Sequence, residues 1–260
     1  MSVPPLTWLY VPADRPDRVE KALASRAHAV IVDLEDGVPA DAKARARAGL
    51  SAVLGWRHEK PVYVRVNAGN AADLETVAQL AIDGVFVPKV ERAEHIPDGV
   101  IVHALIESAV GLEAAFAVAS HPDVHGISLG EADLRSQTGA LETGLDWARS
   151  RIVNAAVAAG LPRPAQSVYP HVRDLDGLAQ SCRHGRELGH LGRSAIHPDQ
   201  LSVIERAYLP TAAEVERARE TTSRLADVVV GTLADGSFVD PAMLGAARQI
   251  VAIAERYGTA

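Results

Sequence analysis

The sequence predicts an α/β protein, a (β/α)8 barrel of the TIM type followed by a C-terminal extension. Short β-branched runs alternate with longer alanine-rich segments eight times within residues 1–210. Such strict alternation implies parallel strands joined by right-handed crossovers. The length of 260 residues fits one barrel with a short tail. An open doubly wound sheet is the alternative, but no GxGxxG fingerprint follows the first predicted strand.

The second predicted strand carries the clearest pattern. Its run AVIVDL, residues 29–34, is almost continuously apolar, which is typical of a strand buried on both faces. The eight predicted strands cover residues 6–11, 29–34, 62–66, 84–87, 100–106, 126–129, 166–168 and 193–196.

A helix is predicted after each strand. Pro16 opens the first helix and Pro39 stands near the start of the second, as prolines do in a first helical turn. The predicted helices cover residues 15–25, 39–54, 72–82, a short stretch around 93, 112–119, 146–159, 175–188 and 199–207.

After residue 210 the alternation stops. The sequence predicts a helix over 212–226, a glycine-containing loop or hairpin over 228–239, and a last helix over 241–257. We therefore divide the chain into a barrel, residues 1–210, and a C-terminal extension, residues 211–260. We interpret the extension as a lid and an oligomer contact, because an eight-unit barrel closes without it.

The composition is that of an ordinary soluble globular protein, with 48% apolar and 23% charged residues. A single cysteine, Cys182, excludes an internal disulfide and favours a reducing cytoplasm. The N-terminus has no signal-peptide pattern, and no apolar run approaches the roughly 20 residues of a membrane helix. The formal net charge of −7 argues against nucleic acid as a partner. We expect a cytoplasmic protein with small-molecule ligands.

Charged residues follow five of the predicted strands, where a barrel places its active site. Acids crowded at one edge repel each other unless a cation lies among them, and carboxylate oxygens suit Mg2+, with Mn2+ as an alternative ion. Zinc is disfavoured because HxH, HExxH and CxxC patterns are absent from the sequence. The strand-end segments are Asp33-Leu34-Glu35-Asp36-Gly37, Arg65-Val66-Asn67, Pro88-Lys89, Glu107-Ser108 and Gly130-Glu131-Ala132-Asp133.

Each of these residues also has a purely structural interpretation. An acid at a strand end often caps a helix or bonds a loop, and Arg65 or Lys89 could simply be a buried ion-pair partner. Lys89 raises a rival chemistry as well, since a lysine at a barrel strand end can form a Schiff base with a ketone. Periodicity alone does not separate a metal aldolase from a lysine aldolase.

A series of motifs resembles the citrate lyase beta-subunit family, within the HpcH/HpaI aldolase–citrate lyase superfamily. The resemblance runs from about residue 6 to residue 241. In GEADL the order differs from the commoner GAED spelling, although the aspartate keeps its place. The motifs, in chain order, are VPADRPDRVEKAL, VIVDLEDGVP, VRVN, VPKVE, LIESAVGLEAA, LGEADL and IHPDQ.

The resemblance implies a (β/α)8 barrel, a Mg2+ site and thioester substrates of coenzyme A or of an acyl carrier protein. It assigns the metal to Glu107 and Asp133, and the carboxylate of a 2-oxo acid to Arg65. The backbone amides of Glu131 and Ala132 help to hold that carboxylate.

Three further assignments follow from the same resemblance. Glu35 and Asp36 surround the metal without binding it, and Arg15 and Lys21 meet the coenzyme A phosphates. Asp240 of FVDP reaches the site of a neighbouring subunit in a homotrimer and acts there as a catalytic base. The alternative is that Asp240 only caps the helix that begins at Pro241.

The sequence thus predicts a Mg2+-dependent carbon–carbon lyase or synthase. Its substrates are 3-hydroxyacyl-CoA thioesters of the citryl-, malyl- or citramalyl-CoA type, which give acetyl-CoA and a 2-oxo acid or form from them. One alternative is a metal-dependent aldolase that acts on free hydroxy-oxo acids. The other is a partner-dependent citrate lyase beta subunit that acts on acyl carrier protein thioesters.

Overall fold

A parallel sheet of seven strands organises the protein, seen in a computed structural model that describes residues 3–227 and 230–258. Along the sheet the strands follow the order β6-β5-β4-β3-β2-β1-β7, and every neighbouring pair is parallel. The strands are β1 (Thr7–Pro12), β2 (Ala29–Asp33), β3 (Val62–Arg65), β4 (Gly84–Val87), β5 (Val102–Ile106), β6 (Val124–Leu129) and β7 (Arg193–Ala195).

Seven of the eight predicted strands are therefore confirmed, and the one predicted over 166–168 is not. Gln166 makes a single parallel bridge to Arg193 of β7, and the Ser167 hydroxyl donates to the carbonyl oxygen of Leu129 at the end of β6. Prolines at 162, 164 and 170 surround this segment and cannot donate to a strand ladder. The segment thus contacts both outer strands of the sheet without being a strand.

Helices follow the strands as the alternation predicts, with several corrected boundaries. The helix predicted over 72–82 ends at Val77, the last helix begins at Leu244, and the helix Glu131–Thr138 was not predicted. The helix predicted from Pro39 begins only at Lys43, because the Val38 amide bonds Glu35 and the Ala42 amide bonds Pro39 in two successive turns. The helices are α1 (Pro16–Ala24), α2 (Lys43–Gly49), α3 (Ser51–Leu54), α4 (Ala71–Val77), α5 (Ala109–Glu113), α6 (Ala115–Ala119), α7 (Glu131–Thr138), α8 (Asp146–Ala158), α9 (Leu175–Glu187), α10 (Leu201–Tyr208), α11 (Ala212–Asp227) and α12 (Leu244–Tyr257).

One face of the sheet carries an aromatic cluster. Trp8, Tyr63, Phe86 and His103 contact each other, with the Phe86 and His103 rings stacked at a centroid distance of 4.1 Å. Side chains on a strand alternate between faces, so the residue two positions further along each strand lies on the same face. On β1 and β3 those positions are Tyr10 and Arg65, which line the cavity at the C-terminal ends of the strands.

The chain forms two compact units. The first, Pro5–Ala207, contains the whole seven-stranded sheet. The second comprises Tyr208–Ala260 with Met1–Pro4, and in it α11 packs against α12. A small antiparallel hairpin of β8 (Gly231–Thr232) and β9 (Phe238–Val239) lies between these helices in sequence, as predicted for 228–239, although residues 228 and 229 lie outside the described part of the chain. Among the described residues, no helix combines the length and apolar character needed to cross a membrane.

Candidate active site

A cavity of about 680 Å³ opens at the C-terminal ends of the strands. Five strands contribute polar residues to its wall, which is where a parallel α/β sheet usually binds ligands. These residues are Tyr10 from β1, Asp33 from β2, Arg65 from β3, Glu107 after β5, and Glu131 and Asp133 after β6.

Arg65 is fixed by Asp33. The two residues face each other in the register of β2 and β3, and the guanidinium donates to both carboxylate oxygens: Nε to Oδ1 and Nη2 to Oδ2, each at 2.7 Å. Arg65 also lies over the Tyr10 ring, 5.2 Å from its centroid. A guanidinium has five N–H donors, so three remain beyond the two that Asp33 accepts. The Arg65 pKa is raised, chiefly because its hydrogen bond and charge pairing with Asp33 outweigh burial.

Glu35 connects Arg65 to Lys89. One of its oxygens lies 2.8 Å from the Lys89 ammonium and the other 3.0 Å from Nη1 of Arg65. Asp36, next in the chain, is largely exposed, lines the cavity and lies 3.8 Å from Arg65. Glu35 thus lies between two cationic side chains.

Lys89 adopts a left-handed backbone conformation, with φ at 57°, and no other non-glycine residue in the described ranges has a positive φ. Left-handed conformations are unfavourable for side-chain-bearing residues. The conformation directs the Lys89 amide to Oε2 of Glu107 at 3.1 Å, while its ammonium pairs with Glu35. The hydrogen bond to Glu35 raises the Lys89 pKa, so the amine stays protonated. A protonated, ion-paired lysine is a poor nucleophile, which disfavours the Schiff-base alternative.

Glu107 is buried, with 7% of its surface exposed, directly after β5. Burial and, after it, the charges of Glu35 and Asp133 raise its pKa to about 7. Gly130 leaves room for this carboxylate, since a Cβ there would overlap the Glu107 side chain. Burial and two neighbouring acids all disfavour the charged form of this carboxylate. A bound cation would offset that unfavourable energy.

Asp133 and its neighbours open α7. Glu131, Ala132 and Asp133 form the first turn after Gly130, and all three line the cavity. First-turn amides have no acceptor within a helix, so they can donate to an anion in the cavity. Arg149 of α8, 2% exposed, fixes this turn by donating Nε and Nη2 to the two carboxylate oxygens of Glu131, at 3.0 and 2.6 Å.

A second cavity, of about 510 Å³, adjoins the first and contains the two residues assigned to coenzyme A. Arg15 and Lys21 line it, and Arg15 forms an exposed ion pair with Asp17 at 3.4 Å. The two cavities share the wall formed by Tyr10, Val11, Pro12, Arg18 and Ile196. Arg18, a cation that the sequence analysis did not select, lies on this shared wall.

Asp240, the predicted catalytic base, belongs to the second unit of the chain. Its Oδ1 accepts from the Ala242 amide at 2.9 Å and caps the 3-10 helix Pro241–Met243. This is the capping role that the sequence allowed as the alternative. A cap of this kind uses only one of the two carboxylate oxygens.

Two carboxylates in the cavity, those of Glu107 and Asp133, are suited to bind a metal ion. Glu107 is buried and Asp133 is close enough to raise its pKa, so the pair forms an acidic pocket with oxygen donors of the type that Mg2+ prefers. A second acidic group, Asp98, His121 and Asp123, lies before β5 and β6, at the opposite ends of the strands. There the Asp123 carboxylate accepts from the Gly99 amide, a local turn contact.

Besides Arg18, sequence reasoning missed three further residues of the cavity. Asp33 was seen in its motif but not selected, although its place opposite Arg65 follows from strand register. Tyr10 carried no signal beyond its strand. Arg149 lies 18 positions after the acid it binds, and nothing local in the sequence connects the two.

Comparison with known proteins places these features in a wider group. A model of the HpcH/HpaI aldolase/citrate lyase family matches residues 6–100 and 97–198. A (3S)-malyl-CoA thioesterase of Cereibacter sphaeroides is 34% identical, over 95% of this chain and 93% of that protein. A citrate lyase subunit beta-like protein of Mycobacterium tuberculosis is also 34% identical, over 91% of each chain.

The fold is similar to a solved structure over nearly its whole length. The crystal structure of CitE from Mycobacterium tuberculosis in complex with magnesium, acetoacetate and coenzyme A superposes with a TM-score of 0.83. It is 31% identical and covers 96% of this chain and 97% of that one.

Proposed function

The chain belongs to the HpcH/HpaI aldolase/citrate lyase family, and from that premise we propose that it is a Mg2+-dependent carbon–carbon lyase or synthase of 3-hydroxyacyl-CoA thioesters. Citryl-, malyl- and citramalyl-CoA are the substrate types, and the products are acetyl-CoA and a 2-oxo acid. The observation that carries the proposal is one cavity that brings the oriented guanidinium of Arg65 together with the acids Glu107 and Asp133.

Glu107 and Asp133 would hold Mg2+, an ion that the similar solved structure contains. Bound there, the metal supplies Lewis-acid stabilisation of the oxygen that becomes the carbonyl of the 2-oxo acid. Glu35 and Asp36 lie around this position, and Glu35 is already neutralised by Lys89 and Arg65.

Arg65 and the first turn of α7 would bind the carboxylate of the 2-oxo acid. The donors for this carboxylate would be the N–H groups of Arg65 that Asp33 does not engage and the amides of Glu131 and Ala132. Asp33 occupies the other edge of the guanidinium, so substrate meets a cation whose orientation is set before binding. Such preorganisation lowers the cost of ordering the site.

Cleavage in the retro-aldol direction breaks the bond between the hydroxyl-bearing carbon and the thioester's α-carbon. The hydroxyl gives its proton to solvent, its oxygen becomes the carbonyl of the 2-oxo acid, and the electrons of the broken carbon–carbon bond pass to the thioester as an enolate. The α-carbon then takes up a proton and gives acetyl-CoA. We assign this last proton transfer to Asp240 of a neighbouring subunit, a general acid–base role.

The adjoining cavity would take coenzyme A, with Arg15 and Lys21 toward its phosphates. It shares a wall with the first cavity, so a thioester can extend from one into the other. In the complete architecture we expect an eight-unit barrel, with the Ser167–Leu129 hydrogen bond at its closing seam, and residues 211–260 as a lid and contact within a homotrimer.

Product analysis of the purified chain tests the proposal. Malyl-, citramalyl- and citryl-CoA are incubated with and without Mg2+, and the products are separated by chromatography. A lyase gives acetyl-CoA and a 2-oxo acid, both lost on chelation. A free-acid aldolase would instead cleave hydroxy-oxo acids, and a partner-dependent subunit would be inactive on coenzyme A esters and act on acyl carrier protein thioesters.

Thioester hydrolysis is a second candidate, because a relative 34% identical to this chain is named a (3S)-malyl-CoA thioesterase. Hydrolysis releases the free coenzyme A thiol and a hydroxy dicarboxylic acid, with the carbon skeleton intact. The same chromatogram therefore separates the two reactions. Free thiol without acetyl-CoA would replace the lyase assignment with this one.

A further inference from the structure

A second guanidinium, Arg193, lines the large cavity, and its hydrogen-bond partners among the described residues are all neutral. Its side chain is 2% exposed, and Nη1 donates to Oε1 of Gln166 at 3.1 Å and to Oγ of Ser181 at 2.9 Å. The Nε atom is buried without a hydrogen-bond partner among the described residues. A buried charge without a counter-ion is strongly unfavourable, so proteins normally pair such groups.

The groups around Arg193 cannot supply the missing negative charge. Burial raises the pKa of the Cys182 thiol, 3.8 Å from Nη1, so this sulfur stays protonated. Tyr169 lies under the guanidinium, but its hydroxyl donates to Asp174, and that hydrogen bond raises the Tyr169 pKa. Asp174 itself accepts from the Tyr169 hydroxyl and from the Gly177 amide.

Arg149 lies in the wall of the same cavity and is equally buried, but its charge is balanced by carboxylates. It donates to Glu131, Glu142 and Asp146, three carboxylates within 3.0 Å. These acids do not serve Arg193, because Arg149 takes both oxygens of Glu131 and shares Glu142 with Arg135. The two arginines therefore differ in the negative charge around them and not in their exposure.

We propose that Arg193 is an anion subsite at this end of the cavity, for a carboxylate or phosphate group of a bound ligand. The ligand would complete the charge balance that the protein leaves open, and Ser181 and Gln166 would fix the guanidinium in place. In the context of the proposed function, on which this assignment of the ligand rests, the anion is a second carboxylate of the acyl substrate, remote from the one at Arg65. The subsite itself stands on the pairing of Arg193 and does not require that function.

Equilibrium binding of simple anions tests the subsite without turnover. Succinate and inorganic phosphate are titrated separately into the metal-free chain, with calorimetry for affinity and NMR of the arginine Nε–H signals for location. In the Arg193→Gln variant we expect at least a tenfold loss of affinity for one of the two probes, the size of one charge-assisted hydrogen bond. Loss for succinate identifies a carboxylate site, and loss for phosphate identifies a phosphate site.

Arg135→Gln is the matched control, because it removes the same charge from the wall of the same cavity while its partner Glu142 keeps Arg149. Its affinity should stay within about twofold of the wild type, as expected for an exposed residue. Equal binding by wild type and Arg193→Gln, or equal losses in both variants, would overturn the proposal. Should Arg193→Gln fail to fold, Arg193→Lys retains charge without the planar fork and should bind several-fold more weakly.

Steady-state kinetics test this inference separately from the proposed function. With an active enzyme, Arg193→Gln should raise KM for substrates with two carboxylates on the acyl chain and leave those with one unchanged. An enzyme without lyase activity but with Arg193-dependent anion binding would refute the proposed function alone. A lyase whose anion binding ignores Arg193 would refute the subsite alone.

Discussion

Asp33 holds Arg65 through both of its carboxylate oxygens, Nε to Oδ1 and Nη2 to Oδ2, at 2.7 Å each. The pair follows from the register of two parallel strands, which sets the two residues side by side on one face of the sheet. Asp33 also accepts from the amides of Glu35 and Gly37, both at 2.8 Å. One side chain therefore orients the cation of the cavity and the loop that follows β2.

Replacement of Asp33 by alanine should be among the most destabilising single changes in the cavity. It leaves the Arg65 charge without its main partner and two backbone amides without an acceptor, so we expect a loss of about 3–5 kcal/mol in the free energy of unfolding. Urea denaturation measures it. Arg57→Ala, which removes the exposed ion pair with Asp83, is the control and should cost at most about 1 kcal/mol. Similar losses in the two variants would contradict the role given to Asp33.

Metal binding should depend on pH through Glu107. Its pKa is raised to about 7, and a ligand must lose its proton before it binds Mg2+. The affinity for Mg2+ should therefore fall roughly tenfold per pH unit below about 7 and level off above it, with one proton released per ion at low pH. Calorimetry in buffers of different ionisation enthalpy measures both quantities. A flat profile from pH 6 to 8 would remove Glu107 from the metal site.

The same shift has a consequence for the stability of the metal-free chain. The folded pKa of Glu107 lies above its ordinary value of 4.5, so the folded state binds the proton more tightly than the unfolded state. The stabilising contribution is complete below about pH 4.5 and is lost as the pH rises through 7. Glu107→Gln should remove this dependence, which a comparison of unfolding at several pH values would reveal.

Gly130 should be required for metal binding rather than for folding. A Cβ at this position would overlap Cγ of Glu107 and lie 2.9 Å from its Oε1, so Gly130→Ala must displace the carboxylate. We expect at least a tenfold loss of Mg2+ affinity by calorimetry, since metal sites tolerate little ligand displacement. Gly49→Ala in α2 is the control, because no atom lies within 4 Å of the added Cβ. Unchanged affinity in Gly130→Ala would mean that Glu107 does not bind the ion.

Lys89 should not form a covalent adduct with a ketone substrate. Its ammonium is paired with Glu35 at 2.8 Å, and that hydrogen bond raises its pKa. Treatment with a 2-oxo acid and borohydride should leave the mass of the chain and its activity unchanged. A reduced adduct on Lys89, absent from Lys89→Arg, would restore the Schiff-base mechanism.

The sequence predicted the positions of the strands better than the contacts between side chains. Continuous apolar runs such as 29–34 locate buried strands, because burial on both faces leaves little choice of residue. The strand predicted over 166–168 was wrong. Its residues fit the pattern of a strand, but the flanking prolines prevent a ladder of backbone hydrogen bonds. Local periodicity predicts neither the register between strands nor the left-handed backbone conformation of Lys89.

Within the site, too, the sequence predicted the types of residue better than their individual contacts. Acids at the strand ends could be recognised as a group, since parallel strands bring their ends together. Arg65 binds Asp33 with one edge of its guanidinium, and Arg193 has no acidic partner in the part of the chain that the structure describes; both facts depend on neighbours distant in sequence. Such pairings arise only from the three-dimensional packing of several elements.

Asp240 presents two roles that a single substitution can separate. Its Oδ1 caps the helix at Pro241–Met243, so Asp240→Ala should cost about 0.5–2 kcal/mol of stability whatever the catalytic role. Asp240→Asn retains an acceptor oxygen for the cap but cannot take a proton. If Asp240 is the base, Asp240→Asn should fold normally and lose roughly 10²–10⁴ in kcat. Full activity in Asp240→Asn would leave only the cap.

Mixing of two inactive variants asks whether Asp240 acts on a neighbouring subunit. An Asp240→Asn chain keeps Glu107, and a Glu107→Gln chain keeps Asp240. If each site of a symmetric oligomer draws the two residues from different chains, random exchange at equal amounts should restore about a quarter of the sites, because each residue is intact in half of the chains. Native mass spectrometry confirms the exchange, and the lyase assay measures the recovery. Mixed oligomers without recovered activity would mean that Asp240 serves its own chain or none.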